Sequence, residues 1–200
     1  MEHYFINKEH KSSDYFKFEA KFEGRTYIFN SCSDVFSKNE LDYGSLVLVK
    51  TVLKYFQDFQ GKILDMCSGY GTIGILLSKH LEKSTFVLAD INKTGIELSN
   101  KNIQENNCKN IEMAIESNLF EDVNETFDMI VSNPPIKVGK QILFKFAQDS
   151  YNYLNDGGNL VLVIKKNLGA DSLKKHLISI YGNCEVLNRD KGYYILKSTK

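Results

Sequence analysis

The sequence predicts an α/β fold built on a mostly parallel sheet of seven strands, and three observations predict it. Short apolar runs alternate with helix-periodic stretches from Lys62 onward, a glycine-rich turn joins the first of those runs to the helix behind it, and the last two runs are separated only by Arg189-Asp190-Lys191-Gly192. Such alternation requires right-handed βαβ units with helices on both faces of the sheet. The four-residue link is too short for a crossover, so it predicts an antiparallel hairpin at the C-terminal end.

The elements follow in order. Tyr15-Phe16-Lys17-Phe18-Glu19-Ala20-Lys21-Phe22 alternates polar with apolar, turns at Glu23-Gly24 and resumes at Thr26-Tyr27-Ile28-Phe29. That pattern predicts a β-hairpin, a lid or platform carried by an N-terminal extension over residues 1–34. Val49, Val52, Leu53 and Phe56 recur at amphipathic spacing and predict a helix from Ser45 to Phe59, ended by Gly61. Then come a strand Lys62–Met66, a helix Thr72–Leu81, a strand Thr85–Ala89, a helix Lys93–Asn106, and strands Ile111–Ile115 and Phe127–Val131. A helix near Gln141–Leu154, a strand Leu160–Ile164, a helix Asp171–Tyr181 and strands Glu185–Asn188 and Tyr193–Lys197 complete the series. Two hundred residues with 42% apolar content suffice for one core of respectable size, so residues 1–200 are expected to form one domain with its core in 35–200.

Composition excludes several classes. No run approaches the ~18 apolar residues of a membrane helix, and the first residues lack the apolar stretch of a secretory signal, so a cytoplasmic protein without a membrane partner is expected. Cys32, Cys67, Cys108 and Cys184 are scattered with no C-x-x-C pair, and the four histidines form no cluster, which predicts free thiols and no metal site. Formal charge is zero but uneven: residues 1–136 carry 14 Lys+Arg against 20 Asp+Glu, and residues 137–200 carry 11 against 5. A second half at +6 can meet phosphate, although ordinary solvated lysines explain it equally well.

Asp65-Met66-Cys67-Ser68-Gly69-Tyr70-Gly71-Thr72-Ile73-Gly74 lies between the first core strand and its helix, where doubly wound sheets bind ligands. Gly69, Gly71 and Gly74 spell G-x-G-x-x-G, a dinucleotide pattern that by itself admits an NAD-dependent oxidoreductase. Asp65 discriminates: a carboxylate ~4 Å from a pyrophosphate is disfavoured by roughly 4 kcal/mol at an effective dielectric near 20, whereas the ammonium and sulfonium of S-adenosylmethionine are attracted. A second role for Asp65, capping the next helix or pairing with a lysine, stays open. Asp90, followed by Ile91, ends the second core strand and can accept from a ribose diol or cap the helix that follows. Ser117-Asn118-Leu119 follows the third strand, where Asn118 can accept from an adenine amine and Leu119 can cover the ring, or the three can form a plain turn.

Asn133-Pro134-Pro135-Ile136 holds the only two prolines of the chain, at the end of the strand Asp128–Val131. The prolines remove two backbone donors and fix φ near −65°, so the loop offers rigid oxygen acceptors. Rigid acceptors suit an amine. An exocyclic amine on a base nucleates poorly on a methyl carbon because its lone pair is conjugated; Asn133 Oδ1 and the Pro134 carbonyl can hold its N–H groups and aim that lone pair, with Ile136 packed on the base.

Together these motifs resemble the methyltransferase small family of Rossmann-like class I methyltransferases, in particular the RsmC-type guanine-N2 methyltransferases of 16S rRNA. The likeness spans nearly the whole chain and includes Val35–Ser45, Gly139-Lys140, Lys165–Ala170 and Lys191-Gly192-Tyr193-Tyr194. The resemblance implies S-adenosylmethionine as cofactor, with Asp65, Cys67, Ser68, Gly69, Tyr70 and Gly71 around its methionine end, Asp90 and Ile91 at the ribose, and Asn118 and Leu119 at the adenine. Phe36 and Ser37 begin a segment, to Ser45, that is expected to close over it, and Asn133, Pro134, Pro135 and Ile136 form the catalytic loop. It also implies rRNA or the small ribosomal subunit as substrate. The family usually has glycine at Cys67, often aspartate at Asn118 and often an aromatic residue at Ile136. Two further readings remain: a protein-glutamine N5 methyltransferase, which also uses N-P-P, and a non-catalytic RNA-binding assembly factor on the same fold.

Overall fold

The computed structural model of the protein describes residues 15–33, 35, 39–135 and 139–200. Two strands, β1 (Tyr15–Phe22) and β2 (Arg25–Cys32), form the expected antiparallel hairpin as a separate sheet. After α1 (Tyr43–Tyr55) the alternation runs β3 (Lys62–Met66), α2 (Thr72–Ser78), β4 (Thr85–Asp90), α3 (Lys93–Glu105), β5 (Ile111–Glu116) and β6 (Phe127–Ser132). It continues through α4 (Lys140–Tyr153), β7 (Leu154–Lys165), α5 (Ala170–Tyr181), β8 (Glu185–Asp190) and β9 (Tyr193–Thr199).

The second sheet has seven strands in the order β5-β4-β3-β6-β7-β9-β8. Strands β3 to β7 pair in parallel; β9 lies antiparallel to β7 and β8 antiparallel to β9. The chain steps outward from β3 through β4 to β5, then returns to place β6 on the other side of β3. That reversal opens a crevice at the carboxyl ends of β3 and β6, the usual ligand position in such sheets.

Apolar runs in the strands reflect burial on both faces. Ile63, Leu88, Met129, Val131, Val161 and Val163 point into a cluster shared with α1, α2, α3 and the hairpin. Their neighbours Leu64, Met66, Ala89, Ile130, Leu160 and Leu162 point into a second cluster beneath α4 and α5. Each fully buried aliphatic side chain contributes about 1.5–3 kcal/mol, and this two-sided core holds the carboxyl-edge loops in place.

Most expected boundaries shift by a few residues, the second helix ending at Ser78 and not Leu81, and two move further. The first helix spans Tyr43–Tyr55, not Ser45–Phe59, because Asp42 supplies an N-cap and the backbone leaves helical geometry at Phe56. Strand β7 begins at Leu154, before the expected Leu160, because Gly157 N–H and Gly158 O bond to the backbone of Lys200 and zip a polar, glycine-containing stretch into the sheet. The hairpin is a platform fixed to α3. Asn102 Oδ1 accepts from Asn30 N–H at 2.6 Å and its Nδ2 donates to Asn30 O, while Asn106 makes the same pair of bonds with Ile28 at 3.0 and 2.7 Å. No helix among the described residues is long and apolar enough to cross a membrane.

Candidate active site

Strand register assembles the site. Asp65 pairs with Val131 and Leu88, and Asp90 with Glu116, so the loops after β3, β4, β5 and β6 emerge side by side at one edge.

Asp65 is fully buried, and the helix-capping role left open by the sequence is present in it. Its Oδ2 accepts from Gly74 N–H at 2.8 Å in the first turn of α2, whose N-cap Gly71 has no side chain to do so. Its Oδ1 is buried with no hydrogen-bond partner, as is Ser68 Oγ. Burial, reinforced by the nearby Asp90, pushes the Asp65 carboxyl up to about 8. An orphaned buried carboxyl oxygen beside a glycine turn fits an ammonium, whose charge would favour the ionised form of the group.

The glycine turn is held from several sides. Ser68 N–H donates to Ala89 O and Gly71 N–H to Ser68 O, closing the turn at 3.0 and 2.9 Å. Gly69 takes φ +57 and has open space where a Cβ would stand, so its backbone faces a ligand without obstruction. Gly95, at the start of α3, lets that helix approach: a Cβ there would lie 3.0 Å from Gly69 O. Ser99 Oγ donates to the same oxygen at 3.0 Å. Cys67 occupies the left-handed region at φ +63, which explains why glycine suits that place. Burial raises the Cys67 thiol, with the Asp90 and Asp65 charges adding to it, so it stays protonated.

Asp90 is nearly buried, and its Oδ2 accepts from Gly69 N–H and Oδ1 from Asn92 N–H, each at 2.8 Å. Burial raises its pKa against the lowering by the Asn92, Gly69 and Ile91 N–H groups. It does not cap α3; Asn92 does, accepting from Gly95 N–H at 3.0 Å. The Asp90 carboxylate therefore ties the β4 end to the glycine turn, with Ile91 following it. Tyr70 departs from its expected place in the cofactor shell: its ring is buried 5.7 Å from Phe29 in the core, which leaves only its backbone to the turn. After β5, Leu119 adopts φ +53 and Ser117 Oγ donates to Leu119 O at 2.6 Å, fixing a tight turn. Exposed Asn118 donates through Nδ2 to Glu121 at 2.9 Å, a bond that does not use its Oδ1.

At the end of β6, Ser132 Oγ donates to Met66 O at 2.7 Å and ties the start of the Asn133-Pro134-Pro135 loop to β3. Asn133 is half-buried, Pro134 buried and Pro135 half-buried. Asn133 Nδ2 donates to Asp42 Oδ2 and to Ser45 Oγ, both at 2.9 Å. Ile136, Phe36 and Ser37 lie outside the described residues. Asp42 and Ser45 lie in the segment expected to close over the cofactor, but sequence reasoning did not foresee their bonds to Asn133, and it did not name Asn92, Gly95, Ser99 or Ser132. The Asp42-x-x-Ser45 spacing is a helix-start signal, but the other four carry no pattern apart from the folded neighbours they touch.

A seven-stranded, topologically reversed sheet with an orphaned carboxylate at the glycine turn and a fixed N-P-P acceptor loop beside it defines an S-adenosylmethionine-dependent methyltransferase. Residues 26–197 match the methyltransferase small domain, and the chain belongs to that family. It is 34% identical over 201 residues to an uncharacterised Bacillus subtilis protein, YbxB, covering 100% of this chain and 98% of that protein. It is 33% identical over 157 residues to ribosomal RNA small subunit methyltransferase C of Cronobacter sakazakii, covering 76% of this chain but 44% of that enzyme. The chain thus spans about half the length of such methyltransferases. A solved structure of the Thermus thermophilus 16S rRNA N2 G1207 methyltransferase RsmC, in complex with AdoMet and guanosine, superposes with a TM-score of 0.82 at 24% identity, over 93% of this chain and 50% of that one.

Proposed function

We propose that the chain methylates the exocyclic N2 amine of a guanine in small-subunit rRNA. One observation carries the reading: Asn133 directly follows β6, the strand whose Val131 pairs with Asp65, so an oxygen acceptor for an amine and a buried carboxyl for an ammonium share one edge. S-adenosylmethionine, when bound, supplies a methyl on a sulfonium that departs as a neutral thioether as the amine lone pair forms the new N–C bond. Asp65 and Ser68 would hold the methionine end, Asp90 the ribose, and Asn118 with Leu119 the adenine. Asn133 Oδ1 and the Pro134 carbonyl would accept from the amine and orient it. An amide oxygen is no base at neutral pH, so the proton that the amine sheds passes to water, and rate enhancement comes from positioning. The complex of the Thermus enzyme with AdoMet and guanosine supports a guanine in that place.

The basic half of the chain supports an RNA substrate. Lys165 Nζ stands 5.0 Å from the Tyr193 ring, Lys191 Nζ 4.7 Å from Tyr43 and Arg189 5.2 Å from Tyr194, and these cations are exposed at the same carboxyl edge. Cations interleaved with aromatic rings suit a strand with phosphates and exposed bases. Small ribosomal subunits from cells lacking the gene, treated with the protein and labelled S-adenosylmethionine, should yield labelled N2-methylguanosine on nucleoside digestion. Label in another nucleoside, or in ribosomal protein only, would overturn the reading.

A further inference from the structure

We infer that Asp42 and Ser45 are positioning residues which decide the end of the Asn133 amide that faces the reacting amine. The inference rests on Asn133 being the amine acceptor and adds how that acceptor is kept the right way round. A carboxamide has an oxygen end and an NH2 end of nearly equal size, and only neighbours that tell donor from acceptor fix its orientation. Asn133 has one such neighbour, the Asp42 carboxylate 91 residues away in the chain, and beside it the Ser45 hydroxyl, 88 residues away, which offers a second acceptor. Asp42 Oδ2 already accepts from Ser45 N–H at 2.8 Å, which marks it as an acceptor oxygen. Turned over, the amide would set Oδ1 2.9 Å from that oxygen, acceptor against acceptor. As built, both Nδ2 protons bond within the protein and Oδ1 is the end presented to a ligand.

Orientation matters because the two ends have opposite effects on an amine. An oxygen accepts its N–H groups and pushes electron density toward the nitrogen. An NH2 end would compete for the lone pair that must attack carbon. Hence a reversed Asn133 would oppose the reaction rather than merely fail to assist it.

The local sequence departs from ordinary helix capping in a way that serves this contact. Asp42 is the N-cap of α1, and the third helical position in a capping box holds Glu or Gln, which reaches back to the cap. Here it holds Ser45, whose hydroxyl oxygen faces Asn133 instead. Between them Gly44 is obligatory: a Cβ would lie 2.7 Å from the Tyr193 ring and 3.0 Å from Asp42 Oδ2. The start of α1 is anchored again by Tyr43, whose hydroxyl donates to Asp190 Oδ2 at 2.8 Å.

The test uses the full chain with small subunits from gene-deleted cells. Asp42→Ser keeps a good N-cap but is too short to reach Asn133, Asp42→Asn keeps both cap and acceptor oxygen, and Ser45→Ala removes one of the two acceptors. Asp42→Ser should lower kcat on the order of 10- to 100-fold with S-adenosylmethionine affinity within about threefold of wild type; loss of placement has effects of that size. Asp42→Asn should restore most of the rate, Ser45→Ala should lose about tenfold, and Asp42→Ser should change nothing further in an Asn133→Ala background. A second readout needs no turnover: the Asn133 side-chain NH2, identified in amide spectra by its loss in Asn133→Ala, should exchange slowly in wild type and rapidly in Asp42→Ser. Wild-type kcat in Asp42→Ser and Ser45→Ala, with Asn133→Ala inactive, overturns the positioning role and leaves the acceptor role standing. Wild-type kcat in Asn133→Ala overturns the acceptor role itself. Unchanged exchange of the Asn133 NH2 in Asp42→Ser likewise refutes the inference, including where that variant is too unstable for kinetics and Ser45→Ala supplies the rate.

Discussion

Replacing Asp65 by Asn should uncouple cofactor binding from protons. In the free protein the Asp65 carboxyl is pushed from 3.8 to about 8, chiefly by burial. Ionising it there costs about 6 kcal/mol more than in water, at ~1.4 kcal/mol per tenfold, so at pH 7 it is about nine-tenths protonated. An ammonium drawn to the orphaned Oδ1 stabilises the charged form, and binding must then expel close to one proton. Titration calorimetry with S-adenosylhomocysteine at pH 7, in two buffers of different ionisation heat, should show ~0.9 proton released by wild type and none by Asp65→Asn. Affinity of wild type should rise close to tenfold from pH 6 to pH 7. The sign for stability is opposite. Because the folded pKa lies above the unfolded one, Asp65 favours folding fully below pH about 4 and withdraws that contribution as pH rises toward 8. The Tm of cofactor-free protein should therefore carry a decline between pH 5 and 8 that Asp65→Asn removes. Absence of proton release at pH 7, together with affinity flat from pH 6 to 7, would show that Asp65 is ionised before the ligand arrives and would refute its role as the ammonium partner.

Three further outcomes follow from the geometry. Gly95→Ala sets a Cβ 3.0 Å from Gly69 O and should displace the glycine turn, weakening S-adenosylhomocysteine affinity by about tenfold or more while the far-UV dichroism spectrum is retained; unchanged affinity would show that the turn yields freely. Cys67→Gly relieves a left-handed backbone at φ +63 and should raise urea-unfolding stability by up to about 1 kcal/mol, and a clear loss would show that the buried thiol contributes more than the strain removes. Paired Lys165→Glu and Lys191→Glu should raise the KM for ribosomal subunits and flatten its salt dependence with S-adenosylhomocysteine affinity unaltered; an unchanged salt slope would exclude these cations from phosphate contact.

The fold was legible because burial on both faces writes apolar runs at Ile63-Leu64, Phe86–Ala89, Met129–Val131 and Leu160–Ile164, and because a four-residue link can only make a hairpin. Boundaries were less so. Phe56 continues the helical spacing of Val49, Val52 and Leu53, yet it serves as the C-cap, and the helix stops where the cap geometry dictates. Asn155 to Asn159 reads as loop by composition, but backbone pairing with Lys200 takes precedence over propensity there. At the site, Asp65, Asp90 and Asn133 stood out in the sequence because each lies at or beside the carboxyl end of a strand, next to a recognisable loop. Position in a motif says nothing about which way a side chain points, and so Tyr70 was expected at the ligand when its ring lies in the core. Asp42 and Asn133 are 91 residues apart, and nothing local to either reveals the other.

The side-chain amides on α3 have a consequence beyond anchoring the hairpin. A two-stranded sheet leaves outward N–H and C=O groups along each border, ready to recruit a strand from another molecule. On β2 those groups at Ile28 and Asn30 are taken by Asn106 and Asn102. Four helical residues advance about 6 Å and two strand residues about 6.8 Å, so carboxamides at positions four apart on a helix can imitate the border of a neighbouring strand. Helix α3 thereby acts as a counterfeit third strand, and the same Asn102 reaches on to Tyr70 O, so the guard that blocks intermolecular β-pairing also steadies the cofactor turn.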